Sequence, residues 1–300
     1  MVSAIITTYK REPSIVLRAM DSILAQTYRD LEIIVVDDSP SDFPARADVR
    51  AAVEKRKEDN PEIDITYIAH PMNMGACVAR NTGLETAKGE FVAYLDDDDE
   101  WLPDKIEKQM HAMLKTKAAL VYCGNLSQND QTGSCRESKK VYIKGNVFKK
   151  LLYNNFIAST SYPLIRKDCL KAVGGFDPKM QSAQDYDVWL RLAEKYEVDY
   201  VAEPLVLYHE HDGERITTNP LKKINGLERI NQKYADYLEA DRKLWRNRNI
   251  GIAQYYGLKG EKKKALALWW KCVCKCPELI KENTICFYLI IRAKAVGKDN

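Results

Sequence analysis

Four short apolar runs punctuate the first hundred residues, at 2–8, 31–36, 63–69 and 91–95. Stretches of helical spacing separate them. Pro13 opens the first, with Ile15, Ala19, Ile23 and Leu24 at helical intervals; a charged segment over 45–59 and a segment over 75–87 are the others. Such alternation leaves few architectures open. A helix between consecutive strands carries the chain back to the same sheet edge, so the strands lie parallel and the helices cover both faces. The expected fold is α/β, a doubly wound sheet. The same order fixes where chemistry can gather. Three runs end in Thr7-Thr8-Tyr9, Asp37-Asp38 and Asp96-Asp97-Asp98-Asp99, polar clusters that share one sheet edge. Open α/β sheets bind ligands outside the carboxyl ends of their strands.

Four consecutive carboxylates repel one another unless a cation or a hydrogen-bond network neutralises them. At a strand end they can hold a hard divalent cation. Asp99 or Asp104 can equally cap the following helix, and an acidic solvated loop has the same composition. Gly75 allows a tight turn before the third helix. Arg80 either meets a phosphate with its planar fork or is a surface arginine. No Gly-x-x-x-x-Gly-Lys-Ser/Thr loop is present, and no Gly-x-Gly-x-x-Gly follows the first strand. Both absences argue against a P-loop NTPase or a dinucleotide dehydrogenase.

Further along, the pattern predicts a helix over 103–115, a strand over 118–123 and a polar hairpin or ordered loop over 125–145. A helix over 148–153, a strand over 159–165 and a helix over 167–173 follow. Gln184-Asp185-Tyr186-Asp187 opens another helix, with Val188, Trp189 and Leu192 toward the core. Asp185 and Asp187 either favour the helix dipole or present a catalytic base. Short strands over 198–201 and 205–208 lead to His209-Glu210-His211-Asp212, which can bind metal or phosphate or form a polar loop.

Seven motifs then stand in register: Thr7-Thr8-Tyr9, Val36-Asp37-Asp38, Asn73-x-Gly75 through Arg80-Asn81-x-Gly83, Ala87-x-Gly89-Glu90, Leu95-Asp96-x-Asp98-Asp99-x-Trp101, Gly174-Gly175-Phe176-Asp177 and Gln184-Asp185-x-Asp187-x-Trp189. Over residues 1–215 the chain resembles an inverting family 2 glycosyltransferase of the GT-A fold, which implies a Rossmann-like, doubly wound mixed sheet. That resemblance implies a nucleotide-diphosphate sugar donor, most often a UDP-sugar, and a hydroxyl of a glycan or lipid-linked acceptor. It implies that Thr7, Tyr9 and Asp38 hold uracil and ribose, with Asp37 beside them, and that Arg80 contacts the nucleotide or its phosphates. Asp96 or Asp97 would lie near the ribose, Asp98 would carry Mn²⁺ or Mg²⁺, and Asp99 would turn toward the next helix. Asp185 would be the base. The stretch Tyr208 to His211 resembles a Tyr-Arg-x-His motif, which places His211 near the metal or diphosphate. Two departures stand out. Gln184 replaces the usual Glu before the base, which removes a like charge beside Asp185. His209 replaces the usual Arg, so a phosphate contact there is expected to be weaker or pH-dependent.

The expected division is a catalytic domain over 1–220, binding the nucleotide-sugar within about 1–120 and the acceptor within about 121–220, and a helical extension over 221–300. Charge separates along the same line. Residues 221–300 hold 18 Lys/Arg and 8 Asp/Glu, a net of +10; residues 1–220 hold 28 and 35, a net of −7. A basic tail with Lys262-Lys263-Lys264, Trp269-Trp270 and the apolar stretch 285–291 points to an anionic membrane surface. Aromatics interleaved along a basic groove are lacking, which disfavours nucleic acid. The tail also contains one tetratricopeptide-like helical pair, short of a solenoid. The first residues lack a basic n-region and a long apolar run, so no secretory leader is expected. Eight scattered cysteines then read as reduced thiols in a cytoplasmic protein, peripheral on the inner face of the plasma membrane. Cys272-x-Cys274-x-Cys276 has the wrong spacing for common zinc sites and reads as buried helix cysteines. Two other functions fit less well. A sugar-nucleotide pyrophosphorylase wants a Gly-rich basic loop where Thr7 to Glu12 has no glycine. A non-catalytic sensor or adaptor would have no use for Asp98 and Asp185.

Overall fold

The structure is a computed structural model and describes residues 1–210 and 219–293. The chain divides into two compact units. The first comprises Met1–Leu151, Asn155–Pro178 and Asp185–Asp212; the second comprises Leu152–Asn154, Lys179–Gln184 and Gly213–Asn300.

The first unit opens as β1 (Val2–Thr8), α1 (Pro13–Leu24), β2 (Leu31–Asp37), α2 (Arg46–Asp59), β3 (Asp64–Ala69), α3 (Ala76–Thr86) and β4 (Phe91–Asp96). These four strands pair in parallel in the order β3-β2-β1-β4. Every residue of β2 is buried, as expected of a parallel strand covered on both faces. Helix α1 starts on Pro13, whose fixed φ and missing N–H suit a first helical turn. It buries Val16, Ala19, Met20 and Ile23, a stripe at helical spacing; each large apolar side chain contributes about 1.5–3 kcal/mol. The register sets Thr7 opposite Val36 and Asp96, and Thr8 opposite Asp37. The three polar strand ends therefore share one edge.

The chain continues through β5 (Asp99–Trp101), α4 (Lys105–Lys115), β6 (Leu120–Asn129), β7 (Cys135–Glu137), α5 (Phe148–Tyr153), β8 (Leu164–Arg166), α6 (Lys167–Ala172), α7 (Gln184–Lys195) and β9 (Val198–Glu210). They extend the sheet past β4 in the order β8-β6-β9-β5, with β7 on β6, into one mixed sheet of nine strands among the described residues. Pairing turns antiparallel at β4–β8 and β8–β6, parallel at β6–β9 and antiparallel at β9–β5. The sheet thus matches the expected doubly wound mixed α/β architecture with helices beyond it.

Two elements differ from expectation. The two short strands after α7 are one strand, β9, whose register against β6 shifts around Gly124, where Pro204 sits opposite. Between Cys123 and Asn125, β9 carries three residues more than β6 beside Pro204, which breaks the apolar alternation, and a bulge absorbs them. The acidic run does not end in a loop: Asp99, Glu100 and Trp101 form β5.

The second unit is helical: α8 (Pro220–Lys233), α9 (Ala235–Ala240), α10 (Arg242–Leu258), α11 (Lys262–Lys275) and α12 (Ile280–Arg292). The Asn219 side chain accepts from the Lys222 N–H, and Asp241 accepts from the N–H groups of Lys243 and Leu244, so both helix starts are capped. Ile250, Ala253, Ala265, Cys272, Cys286 and Ile290 form its core. Of the spaced cysteines, Cys272 and Cys276 are buried, but Cys274 is exposed. The outer face of α12 is apolar and exposed: Ile280, Ile285, Tyr288, Leu289 and Ile291 all face solvent, as does Trp270 on α11. No helix among the described residues is long and apolar enough to cross a membrane.

Candidate active site

Exposure alternates along the acidic run that follows β4. The side chains of Asp96 and Asp98 are 31% and 20% exposed, against 9% for Asp97, and Asp99 is buried. Asp97 and Asp98 form the turn between β4 and β5, so Asp96 and Asp99 end and begin the two strands on either side of it. Asp96 is held by three donors: Arg80 Nη2 at 3.0 Å, Thr160 Oγ1 at 2.9 Å and Ser159 Oγ at 3.2 Å. Asp97 accepts from Arg11 Nε at 3.1 Å, and Asp98 from Arg11 Nη2 at 3.1 Å. Burial pushes the Asp97 carboxyl up to about 6, against the pull of Arg11. Asp99 accepts from Ser161 Oγ at 2.6 Å. It therefore points into the sheet, not toward α4; pairing of β5 with β9 decides this, and it is Asp104 that stands at the N-cap of α4.

At the β2 end the two acids are buried and already hydrogen-bonded. Asp37 accepts from the Ser39 N–H and the Tyr67 hydroxyl, at 2.8 and 2.7 Å. Asp38 accepts from the N–H groups of Met74 and Gly75, both at 2.8 Å, and meets His70 Nδ1 at 2.7 Å. Its position thus pins the loop that enters α3. Gly75 adopts φ +91° there, a backbone open to glycine. Thr7 is half-buried at the end of β1, and Tyr9 is exposed beyond it.

Arg80, on α3, lies 12% exposed with its guanidinium 5.4 Å from the Phe176 ring, and its hydrogen bond goes to Asp96. It sits within the field of Asp185 as well. The two acids at the head of α7 differ sharply. Asp187 is fully buried and ion-paired to Arg191 Nη2 at 2.8 Å, while Arg191 also donates to the Gly175 carbonyl at 2.7 Å. Asp185 is half-buried at the first turn.

His209 is 3% exposed, with Nδ1 at 2.6 Å from Asp130 and Nε2 at 2.7 Å from Glu100. Both ring nitrogens are engaged by carboxylates. A phosphate contact there, expected to be weaker or pH-dependent with His in place of Arg, would have to compete with these two carboxylates. His211, the expected metal neighbour, lies outside the described residues. Among the described residues no group of three or more His, Cys, Asp or Glu is placed to hold a metal. Carboxylates at an open strand end still suit a hard cation that takes one or two protein ligands and shares the rest with phosphates. Sequence reading missed Arg11, His70, Tyr67 and the hydroxyl run Ser159-Thr160-Ser161. Three adjacent hydroxyls before a strand were the one local signal among them.

Residues 3–174 match the family described as Glycosyl transferase family 2. The chain belongs to that family. Its fold is of the GT-A type, and its activity is glycosyl transfer from a nucleotide-sugar donor. The chain is similar to the putative colanic acid biosynthesis glycosyl transferase WcaA of Escherichia coli K12, 29% identical over 79% of this chain and 82% of that one. Among solved structures it resembles S. aureus TarS, with a TM-score of 0.65 at 16% identity over 96% of this chain. The chain spans about half, 52%, of that TarS structure; a shorter TarS structure is a complex with UDP-GlcNAc. It also resembles the mannosyltransferase PcManGT from Pyrobaculum calidifontis, solved with GDP-Man and Mn²⁺, with a TM-score of 0.60 at 19% identity over 96% of this chain and 84% of that one.

Proposed function

We propose that this family 2 glycosyltransferase is inverting and moves a sugar from a UDP-sugar to a hydroxyl of a glycan or lipid-linked acceptor, in surface polysaccharide synthesis of the bacterial type. The observation that carries this reading is the contrast at the head of α7. Asp187 is locked to Arg191, whereas half-buried Asp185 lies within the field of Arg80, which holds Asp96. Asp185 accepts the proton of the acceptor hydroxyl as its oxygen attacks the anomeric carbon and the nucleoside diphosphate leaves. One in-line displacement inverts the configuration there. Thr7, Tyr9, Asp37 and Asp38 line the nucleoside side, with Asp96 or Asp97 toward the ribose. Arg80 acts through Asp96, which it orients.

Asp98 is the carboxylate that would hold Mn²⁺ or Mg²⁺; a cation bound there supplies charge neutralisation of the diphosphate leaving group. The Mn²⁺ named with PcManGT supports this reading, as does the UDP-GlcNAc bound to TarS for a UDP-sugar donor. The WcaA name supports a polysaccharide acceptor. The second unit is proposed to rest on an anionic membrane surface at the inner face of the plasma membrane, where a lipid-linked acceptor would be met. Its net charge of +10 over 221–300 and the exposed apolar face of α12 support that placement.

Asp185→Asn tests the base. Base help of this kind is worth about 10²–10⁴-fold. The variant should lose transfer by that factor while its UDP affinity stays within about twofold of the parent, since one displaced proton acceptor does not touch the nucleotide. Turnover is read as UDP release from a UDP-sugar, with Mn²⁺ and a mixed acceptor pool. Near-normal turnover in the variant would remove Asp185 from the role.

A further inference from the structure

Arg11 stands where a cation is wanted. It lies on the four-residue connection between β1 and α1. Lys10, just before it, takes a left-handed φ of +53°, and its N–H donates to Ser39 Oγ at 2.8 Å. A non-glycine residue in that region is strained and persists only where its surroundings enforce it. Pro13 then fixes the start of α1. The connection is thus held at both ends, and the Arg11 side chain, 26% exposed, reaches into the acidic run. Its fork does not clasp one carboxylate. Nε meets Asp97 Oδ1 and Nη2 meets Asp98 Oδ2, both at 3.1 Å, so the guanidinium bridges two neighbouring acids. From α1, Arg18 Nη2 donates to the Asp98 carbonyl at 3.2 Å, which fixes the backbone under that carboxylate.

We propose that Arg11 is the resident counter-cation of the donor site, holding the Asp97–Asp98 pair until a divalent cation displaces it, and then turning to the donor diphosphate. The inference rests on the reading of Asp98 as the cation's ligand. A divalent ion and a guanidinium on one carboxylate repel each other, so they compete for Asp98. The displaced guanidinium is planar, permanently charged and suited to phosphate oxygens. The diphosphate arriving with the cation supplies them. Arg11 therefore opposes the metal while the site lacks nucleotide and supports the nucleotide once the metal is present. Metal binding and donor binding are coupled through one side chain.

The test uses the full chain and its Arg11→Ala and Arg11→Gln variants, with Mn²⁺ binding followed by electron paramagnetic resonance and UDP binding by calorimetry. Without UDP, both variants should bind Mn²⁺ about tenfold more tightly than the parent, the weight of one charge-assisted contact removed. With saturating Mn²⁺, both should bind UDP about tenfold more weakly. An Arg11 that only stabilises the fold would move neither affinity in these opposed directions. Unchanged or weakened Mn²⁺ binding in both variants overturns the proposal. Failure of the underlying reading looks different: Asp98→Asn would then bind Mn²⁺ as the parent does, and Arg11 would have no cation to oppose.

Discussion

Lys105 is fully buried on α4, with Nζ 2.7 Å from Gln109 Oε1 and 4.2 Å from the centre of the Trp101 ring. Burial lowers its ammonium to about 8. An unfolded lysine titrates near ~10.4, so between these values the unfolded chain binds more protons and stability rises with pH. Lys105→Met has no such slope. Urea unfolding should show the stability difference shifting toward the parent by ~2.5 kcal/mol between pH 7 and pH 10. Parallel curves for the two proteins would mean that Lys105 keeps an ordinary ammonium. At this scale the sequence showed which residue types meet, and not how each is occupied. Asp185 and Asp187 have the same helix-start signature, yet Asp187 is fully buried against Arg191, a partner one turn on that also ties down Gly175, while Asp185 is half-buried. The fourfold Asp repeat hid its own register. Asp99 turned inward because β5 pairs with β9, a contact across more than a hundred residues. Arg11 was hidden for the same reason, since 86 residues separate it from Asp97.

The elements themselves were largely legible through α3 and β4, because each strand there is a continuous apolar run bounded by polar ends. Legibility fell where pairing became antiparallel and local. β8 is three residues, not the longer strand expected over 159–165, because Ser159, Thr160 and Ser161 spend their hydroxyls on Asp96 and Asp99 and on the turn. β9 looked like two strands because its bulge carries Pro204. In the helices, two interior glycines give opposite predictions. A Cβ on Gly226 of α8 would lie 2.4 Å from the Ser182 carbonyl oxygen and 2.9 Å from its carbon, backbone atoms that cannot step aside cheaply. On Gly251 of α10 it would meet nothing within 4 Å. Gly226→Ala should therefore destabilise by about 1–3 kcal/mol through overpacking. Gly251→Ala should stabilise by roughly 0.5–1 kcal/mol through helix propensity. Denaturant midpoints decide both, and a shared sign would refute the packing argument.

Over the whole molecule, the proposed membrane surface joins two signals of different origin. The positive charge of residues 221–300 was visible in composition, but the apolar half of the surface was not. The run 285–291 reads equally well as a core segment, and only the packing of Cys286 and Ile290 inward leaves Ile285, Tyr288, Leu289 and Ile291 outside. Charge attracts at a distance, at about 1 kcal/mol per Lys or Arg near an anionic surface, and fades within a Debye length as salt rises. Apolar side chains act only on contact and ignore salt. The two can therefore be separated. The chain should float with vesicles rich in anionic phosphatidylglycerol and stay behind with neutral phosphatidylcholine. Raising salt from ~0.1 to ~0.5 M should weaken the binding several-fold as screening tightens. Replacing Ile285, Tyr288 and Leu289 together by Ser should weaken it at least tenfold at low salt, since each removes more than ~1 kcal/mol of apolar burial. Circular dichroism should be unchanged, because none of the three lies in the helical core. Should the triple variant float as well as the parent, charge alone makes the contact. Should neither float while the parent's solution mass is double that of the variant, α12 is instead a seam between two copies of the chain.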